Sequence, residues 1–503
     1  MPDPGEVELK LEVAPGDVAR LRRHPLLAGL GRPVKMVSAY WDTPDLALRD
    51  AGLTLRIRTA ARSRIQTLKT ASEGVGLFAR GEWETPVAAD RLDLDALDGT
   101  PVEALLKGGA AQPLEPCFRI RVERASRLVE RPDGAVELTL DQGVIEAGER
   151  EQGLTEVELE LKSGPARLLF DLGRELMAVA PLRLSAVSKG EAGYELLREP
   201  GPVKASDPRL DRGMTTAEAF QLIGRACLAQ FLRNERLVRR SGAPEAVHQA
   251  RVGLRRLRAA LSVFGDMLDD PQSARIKEGL KALASALGAV RDLDVLLPRL
   301  AELEVSPPFD RAALLEALRL HRAEVMAEAV PVLASDEAAR LAFDAAAWLE
   351  AGDWLALAPA ALRDRPVADF AAEALERRAA KLRKALKRIR SLDAEGRHDV
   401  RIRAKKVRYA AEFFAGLADG KKPAKAARRF IRALKPLQEA LGDLNDVANA
   451  ERLLRALAGS SRDTAVAFAA GQAADAVGRA EPHLLEEVAE AAGEFAEAEL
   501  FLG

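Results

Sequence analysis

The hydrophobic period changes once along this chain, and that change limits the possible architecture more than any other feature. From Glu6 to about Leu197, apolar and polar residues alternate in short runs bounded by Gly, Pro and Asp. The runs are Glu6 to Val13, Leu53 to Arg58, Gln66 to Thr70, Arg80 to Pro86, Phe118 to Glu123, Val136 to Asp141 and Thr155 to Leu161. A period of two sends successive side chains to opposite faces, so these runs predict strands. With helical spacing at Gly16 to Arg23 and Ala166 to Val179, the first region reads as a sheet-rich α+β domain over 1–198. Glu199 to Asp211, rich in Pro, Gly and Lys, opens a linker taken to run over 199–214. Beyond it Ala, Leu, Arg and Glu recur at helical spacing, which predicts an all-α region over 215–503.

The helical region repeats itself. His248-Gln-Ala-Arg251-Val-Gly-Leu-Arg255-Arg256-Leu-Arg258 matches His398-Asp-Val-Arg401-Ile-Arg-Ala-Lys405-Lys406-Val-Arg408. Each copy is followed by a second matching block, ending in Gly288-Ala-Val-Arg291-Asp292 and in Gly442-Asp-Leu-Asn445-Asp446. Two related helical bundles, about 215–305 and 365–460, explain this most simply. The segment Pro307 to Asp364, rich in Ala, Leu and Glu, is expected to join and pack the two halves.

Bulk properties then exclude some classes. A chain of 503 residues exceeds one ordinary core, and roughly 150 residues per domain suggests about three folding units. The 75 basic and 77 acidic residues nearly cancel, so whole-chain charge identifies no partner. The acidic start and the lack of any run of roughly 18 apolar residues predict a cytoplasmic protein with no membrane partner. Cys117 and Cys227 are too few for a disulfide framework or a thiolate metal site.

The strands carry an unusual charge pattern. In Glu6-Val7-Glu8-Leu9-Lys10-Leu11-Glu12, the charged residues share one face at intervals of about 6.6 to 6.8 Å. One such strand is ordinarily a solvated face. The alternation recurs, however, as Arg56/Arg58, Glu82/Glu84, Arg119/Arg121 and Glu156/Glu158/Glu160, which suits a barrel with a polar interior and an outer apolar face covered by helices. Arginines and lysines grouped inside would match phosphate oxygens. Carboxylates among them would repel a bare polyanion and make sense as ligands of a hard divalent cation such as Mg²⁺. This mixture argues for a phosphate chain plus metal and against a nucleic-acid groove.

Glu6-x-Glu8-x-Lys10, Leu55-Arg56-Ile57-Arg58, Thr67-Leu68-Lys69, Glu82-Trp-Glu84, Arg119-x-Arg121, Asp141, Glu156-x-Glu158-x-Glu160 and Ser188-Lys189 follow one another in this order. The series resembles the CYTH superfamily of triphosphate tunnel enzymes, which includes inorganic, thiamine and RNA triphosphatases and a class of adenylyl cyclases. The resemblance implies an antiparallel β-tunnel barrel with flanking helices. It further implies that Lys10, Arg56, Arg58, Lys69, Arg119, Arg121 and Lys189 clamp a triphosphate. Glu6, Glu8, Asp141, Glu156 and Glu158 would be ligands of Mg²⁺ or Mn²⁺, with Glu160, Glu82 and Glu84 in support. Which of Arg119 and Arg121 points inward is left open, with Arg124 nearby. Metaphosphate-like transfer needs mainly positioning and charge neutralisation, for which Lys10 and Lys69 are candidates, and Glu6 or Glu8 could activate the water. The sole histidine of this region is His24, so a covalent intermediate is not expected.

In the helical region His248, Arg251, Arg255 and Arg258 stand at steps of three, four and three, along one stripe of a helix. His398, Arg401, Lys405 and Arg408 repeat the spacing, and Arg377 to Arg390 adds further basic residues. These stripes resemble the CHAD family of conserved-histidine α-helical domains. That resemblance implies two pseudo-symmetric four-helix bundles and polyphosphate as ligand. Metal binding by the histidines is disfavoured, because the helix spacing supplies Arg where a second ligand would stand. The resulting expectation is an inorganic triphosphatase with a polyphosphate-binding helical domain. The alternatives are a non-catalytic polyphosphate adaptor, or a triphosphatase or cyclase acting on an organic triphosphate. Nucleic acid is an unlikely partner for a chain with 4% aromatic residues, which offers few stacking platforms.

Overall fold

The computed structural model describes residues 7–70, 81–106, 113–206 and 208–502. Two compact units partition the chain. The first comprises Met1–Pro202 together with Asp336–Gly352, and the second comprises Val203–Ser335 with Asp353–Gly503.

The first unit is built on nine antiparallel strands: β1 (Glu8–Val13), β2 (Val34–Asp42), β3 (Leu53–Ala60), β4 (Ser63–Thr70), β5 (Glu82–Pro86), β6 (Glu115–Arg131), β7 (Gly134–Ala147), β8 (Arg150–Ser163) and β9 (Leu182–Leu184). Their order is β5-β4-β3-β2-β6-β7-β8-β1-β9, and no ladder joins β5 to β9 among the described residues. The sequence pattern did not announce β2, because Met36-Val37 and Tyr40-Trp41 place large apolar residues on both faces and erase the alternation. The turn from β7 to β8 takes only two residues, and Gly148 supplies its positive φ of 61°.

On β1, β7 and β8 the strand alternation resolves into a polar inner face and an apolar outer one, whereas β6 turns Ile120 and Val122 inward. Leu9 and Leu11 of β1, Val136 and Leu138 of β7, and Val157 and Leu159 of β8 are fully buried on the outer face. Helix α1 (Arg167–Met177) covers them with Leu169, Phe170, Leu172 and Leu176. Each such side chain removed from water contributes roughly 1.5–3 kcal/mol. Helix α2 (Lys189–Leu197) begins at a reciprocal cap, in which Ser188 Oγ accepts from Glu191 N–H and the Glu191 carboxylate accepts from Ser188 N–H.

The second unit contains α3 (Thr216–Ser241), α4 (Pro244–Val263), α5 (Pro271–Glu302) and α6 (Arg311–Ala334) from its first half. Between the halves in sequence, α7 (Asp336–Ala351) belongs to the first unit: Phe343 meets Phe170 edge-on at 5.7 Å and fills the space above Gly173. The second half supplies α8 (Val367–Leu386), α9 (Ala394–Phe414), α10 (Lys421–Ser460), α11 (Thr464–Gly478) and α12 (Glu481–Ala496). The repeated sequence blocks fall on corresponding helices, α4 with α5 and α9 with α10. Phe264 and Phe414, at the ends of α4 and α9, meet at 6.0 Å in an aromatic cluster with Phe220, Phe370 and Trp354. Among the described residues no helix is long and apolar enough to cross a membrane.

Candidate active site

The inner face of the sheet lines a cavity of about 110 Å³. One water occupies about 10–15 Å³ by the same measure, so the space suits an occupant several times that size. Its walls come from Glu8 and Lys10 of β1, Ser38 and Tyr40 of β2, Arg56 and Arg58 of β3, Thr67 and Lys69 of β4, Arg124 of β6, Thr139 and Asp141 of β7, Glu158 and Glu160 of β8, and Ser188 and Lys189 at the start of α2.

Register explains the charge pairing on the floor. Lys10 stands opposite Glu158, Arg124 opposite Asp141, and Asp141 opposite Glu156. Lys10 Nζ lies 3.0 Å from Glu8 Oε1 and 2.9 Å from Glu158 Oε1. Arg124 donates from Nε and Nη2 to the two oxygens of Asp141 at 2.9 and 2.6 Å, and from Nη2 to Glu158 at 2.6 Å. Lys189 Nζ lies 2.5 Å from Glu156 Oε1 and 3.0 Å from Glu158 Oε1, and it bonds to Asp141. On the opposite wall Lys69 pairs with Glu82 at 2.7 Å and Arg58 reaches Glu84 at 3.4 Å, so both acids of β5 hold cations of the cavity.

Burial and these partners set the charge states. Burial disfavours the ionised form of Glu156, Lys189 only partly offsets it, and the neighbouring Glu158 charge adds to the effect; the carboxyl is pushed up to about 7. Burial acts on Glu158 too, but Lys10, Lys189 and Arg124 outweigh it and hold that carboxyl well below the usual range. Lys10 is raised to about 12 because Glu158 and Glu8 outweigh its burial. Arg58 is lowered by burial and by the adjacent Arg56, a positive pair that an anion would relieve.

Asp141, Glu156 and Glu158 each offer an oxygen within 4.8 Å of the others. Glu156 Oε1 is buried against the Lys189 ammonium at 2.5 Å. Three buried carboxyl groups gathered in this way form an all-oxygen set that fits a hard divalent cation.

The second unit gathers its basic stripes into a cluster of another kind. Burial, with Arg255 and Arg401 beside it, pushes Lys405 down to about 6. Burial and Arg255 likewise push Arg251 down to about 10, and burial outweighs Asp446 in lowering Arg401. Nε of Arg255 and Nε of Arg401 are buried without an acceptor. His248 is half-buried and lowered by burial, Arg291 and Arg255, while His398 is exposed and its Nδ1 lies 2.8 Å from Asn445 Oδ1. Arg258 is exposed. Arg408 is engaged elsewhere, with Glu412 at 2.6 Å and Gln438 at 3.0 Å.

The model of the CYTH domain family matches residues 5–194, and that of the CHAD domain family matches residues 222–455. The chain joins a CYTH domain to a CHAD domain. Over 200 residues it is 32% identical to an inorganic triphosphatase of Haemophilus influenzae, a match covering 38% of this chain and 54% of that protein. Over 323 residues it is 28% identical to an uncharacterized protein of Mycobacterium tuberculosis, covering 58% of each. The chain thus spans about half the length of the curated relatives it matches. Among solved structures, the CHAD domain from the plant Ricinus communis is similar at 31% identity and a TM-score of 0.48, covering 58% of this chain and 96% of that one.

Within the CYTH domain the structure brings Glu8, Lys10, Arg56, Arg58, Lys69, Asp141, Glu158 and Lys189 to one cavity, with Glu156 beside Asp141 and Glu158. Glu6 lies outside the described residues. Arg119 and Arg121 require a correction. Both are exposed on the opposite face of β6, where Arg121 pairs with Glu146 at 2.8 Å. The even-numbered positions of β6 face inward, and Arg124 is the guanidinium this strand sends to the cavity. The sequence signal for it is the register that sets Arg124 against Asp141. Tyr40 was not anticipated either. Its ring stacks on Phe118 at 4.5 Å, with Tyr194 edge-on to Phe118, and its hydroxyl lies 3.5 Å from Arg56 Nη1.

Proposed function

We propose that the CYTH domain hydrolyses inorganic triphosphate to pyrophosphate and phosphate with Mg²⁺ or Mn²⁺, and that the CHAD domain binds polyphosphate. The observation that carries this reading is the meeting, at one cavity, of the buried carboxylates Asp141 and Glu158, with Glu156 beside them, and Lys10, Arg56, Arg58, Lys69, Arg124 and Lys189. Cations interleaved with acids suit a polyanion that arrives with a metal, the cations meeting its oxygens and the acids its metal.

Asp141, Glu156 and Glu158 would hold the cation, which when bound supplies charge neutralisation at phosphate oxygens. Arg56 and Arg58 present two guanidiniums from alternate positions of β3, with Tyr40 orienting Arg56. Lys69 faces them from β4, where Glu82 fixes its ammonium, and Lys10 completes the clamp from β1. Together they hold the chain in line and offset charge on the departing pyrophosphate. Glu8, held through Oε1 by Lys10, takes the proton of the attacking water at its carboxylate.

In the CHAD domain, a half-buried cluster of Arg251, Arg255, Arg401 and Lys405, in which Nε of Arg255 and Nε of Arg401 are buried without an acceptor, supports an extended polyanion as ligand. The test is phosphate release with Mg²⁺ or Mn²⁺ from inorganic triphosphate, ATP, thiamine triphosphate and long-chain polyphosphate, beside Glu8→Ala and Lys69→Ala. Turnover of inorganic triphosphate that both substitutions abolish supports the reading. Absence of turnover on every substrate, with polyphosphate still bound, would replace it with an adaptor.

A further inference from the structure

The carboxyl groups of Asp141, Glu156 and Glu158 already share a cation that the chain itself supplies. Lys189 Nζ contacts all three, while Arg124 bonds to Asp141 and Glu158, and Lys10 to Glu158 and Glu8. The backbone that carries Lys189 is held firmly. Ser188 caps α2, a Cβ at Gly190 would lie 2.8 Å from the Tyr40 ring, and one at Gly193 would lie 2.1 Å from the Phe118 ring. With its backbone packed this closely, the ammonium can change partners by turning its own side chain, a compact charge on a flexible stem.

We propose that Lys189 is an internal counter-ion that competes with the divalent cation for this triad, and that triphosphate relieves the competition by offering the ammonium a phosphate partner. The inference rests on the metal and triphosphate reading above. An ammonium and a divalent ion on the same three carboxyl groups would stand within a few ångströms of one another, where like charges repel strongly in a site shielded from water. Lys189 is one of the residues that line the cavity, so a phosphate bound there would draw the ammonium off the acids. Metal and triphosphate would then strengthen each other's binding by the same factor, as linkage requires.

The experiment measures Mn²⁺ affinity of the full chain without phosphate, from the free-ion electron paramagnetic resonance signal. Lys189→Met and Lys189→Gln are expected to bind Mn²⁺ about ten-fold more tightly than the unaltered protein, within the usual range of coupling between sites. Lys189→Arg should show no such gain. Lys69→Met removes a cation of the same cavity that is held by Glu82 instead, and should change the affinity less than about two-fold. Circular dichroism confirms that each variant is folded. An unchanged or weakened affinity in both neutral variants at Lys189 overturns the proposal, as does an equal gain in Lys69→Met, which would reduce the effect to overall charge. If no protein binds Mn²⁺ even with a non-hydrolysable triphosphate analogue, the metal reading itself fails.

Discussion

Replacing Arg124 by Met, beside the same replacement at Arg121, separates the two faces of β6. The Arg124 guanidinium makes three charge-assisted hydrogen bonds, to Asp141, which is fully buried, and to Glu158, which is nearly so. Removing it leaves two carboxylates short of a partner in a low-dielectric site, and breaking a buried pair in this way costs about 3–5 kcal/mol. The remaining contacts from Lys10 and Lys189 place the expectation near the lower end, about 3 kcal/mol. Arg121 holds one exposed pair with Glu146, and such a pair contributes about 0–1 kcal/mol. Denaturant unfolding followed by tryptophan fluorescence reads this directly, since Trp41, Trp83 and Trp348 all lie in the first unit. Triphosphate turnover should fall about 10²–10³-fold in R124M, the usual effect of losing one preorganised charge donor. R121M should stay within about three-fold of the parent, since its guanidinium is half-exposed on the outer face. Equal losses in the two variants, or an R124M protein within about 1 kcal/mol of the parent, would refute the inward assignment of Arg124.

If the CHAD domain binds polyphosphate as proposed, Lys405 should make that binding pH-dependent. Its native value near 6 lies below the ordinary 10.5, so across that window the unfolded chain holds a proton the native state lacks, and Lys405 makes stability rise with pH there. A bound polyanion restores the proton, so affinity should fall by up to about ten-fold per pH unit above 6, and calorimetry at pH 7.5 in two buffers should show uptake that Lys405→Met removes; equal uptake in both proteins would contradict this. Gly193→Ala drives a Cβ into the Phe118 ring beneath Tyr40 and should destabilise the CYTH unit by about 1–3 kcal/mol in denaturant unfolding. Phe343→Ala opens a cavity against Phe170 and Gly173, and a loss of about 3–5 kcal/mol from the unit that holds the sheet is expected. A loss confined to the helical unit would show that α7 is not part of the first core.

Much of the candidate site was legible because strand geometry is strict. Glu8 with Lys10, Arg56 with Arg58, and Glu156 with Glu158 had to share faces whatever the tertiary arrangement, and in each pair the face proves to be the inner one. The same rule misled at β6. There Arg119 and Arg121 alternate with Phe118, Ile120 and Val122, and the pattern resembles the other charged strands. In this strand the apolar side turns inward, because Phe118 belongs to the aromatic stack with Tyr40 and Tyr194. Parity says which residues go together; it does not say which way they go.

By itself the sequence determined most of the elements and which residues share a face: seven alternating runs, a helical region with an internal repeat, and basic stripes at helical spacing. These follow from local periodicity, which the backbone enforces within a few residues. The meeting of Lys189 with Asp141 and Glu156, the inward turn of Arg124, and the placement of α7 in the core of the first unit were decided by pairing over tens to hundreds of positions. Ala338, Ala342 and Trp348 mark an apolar helix face, but many cores could bury such a face equally well. Only the three-dimensional register of strands and the shape of the surface beside Gly173 select one, because burial is rewarded by whichever surface fits and carries no label in the chain.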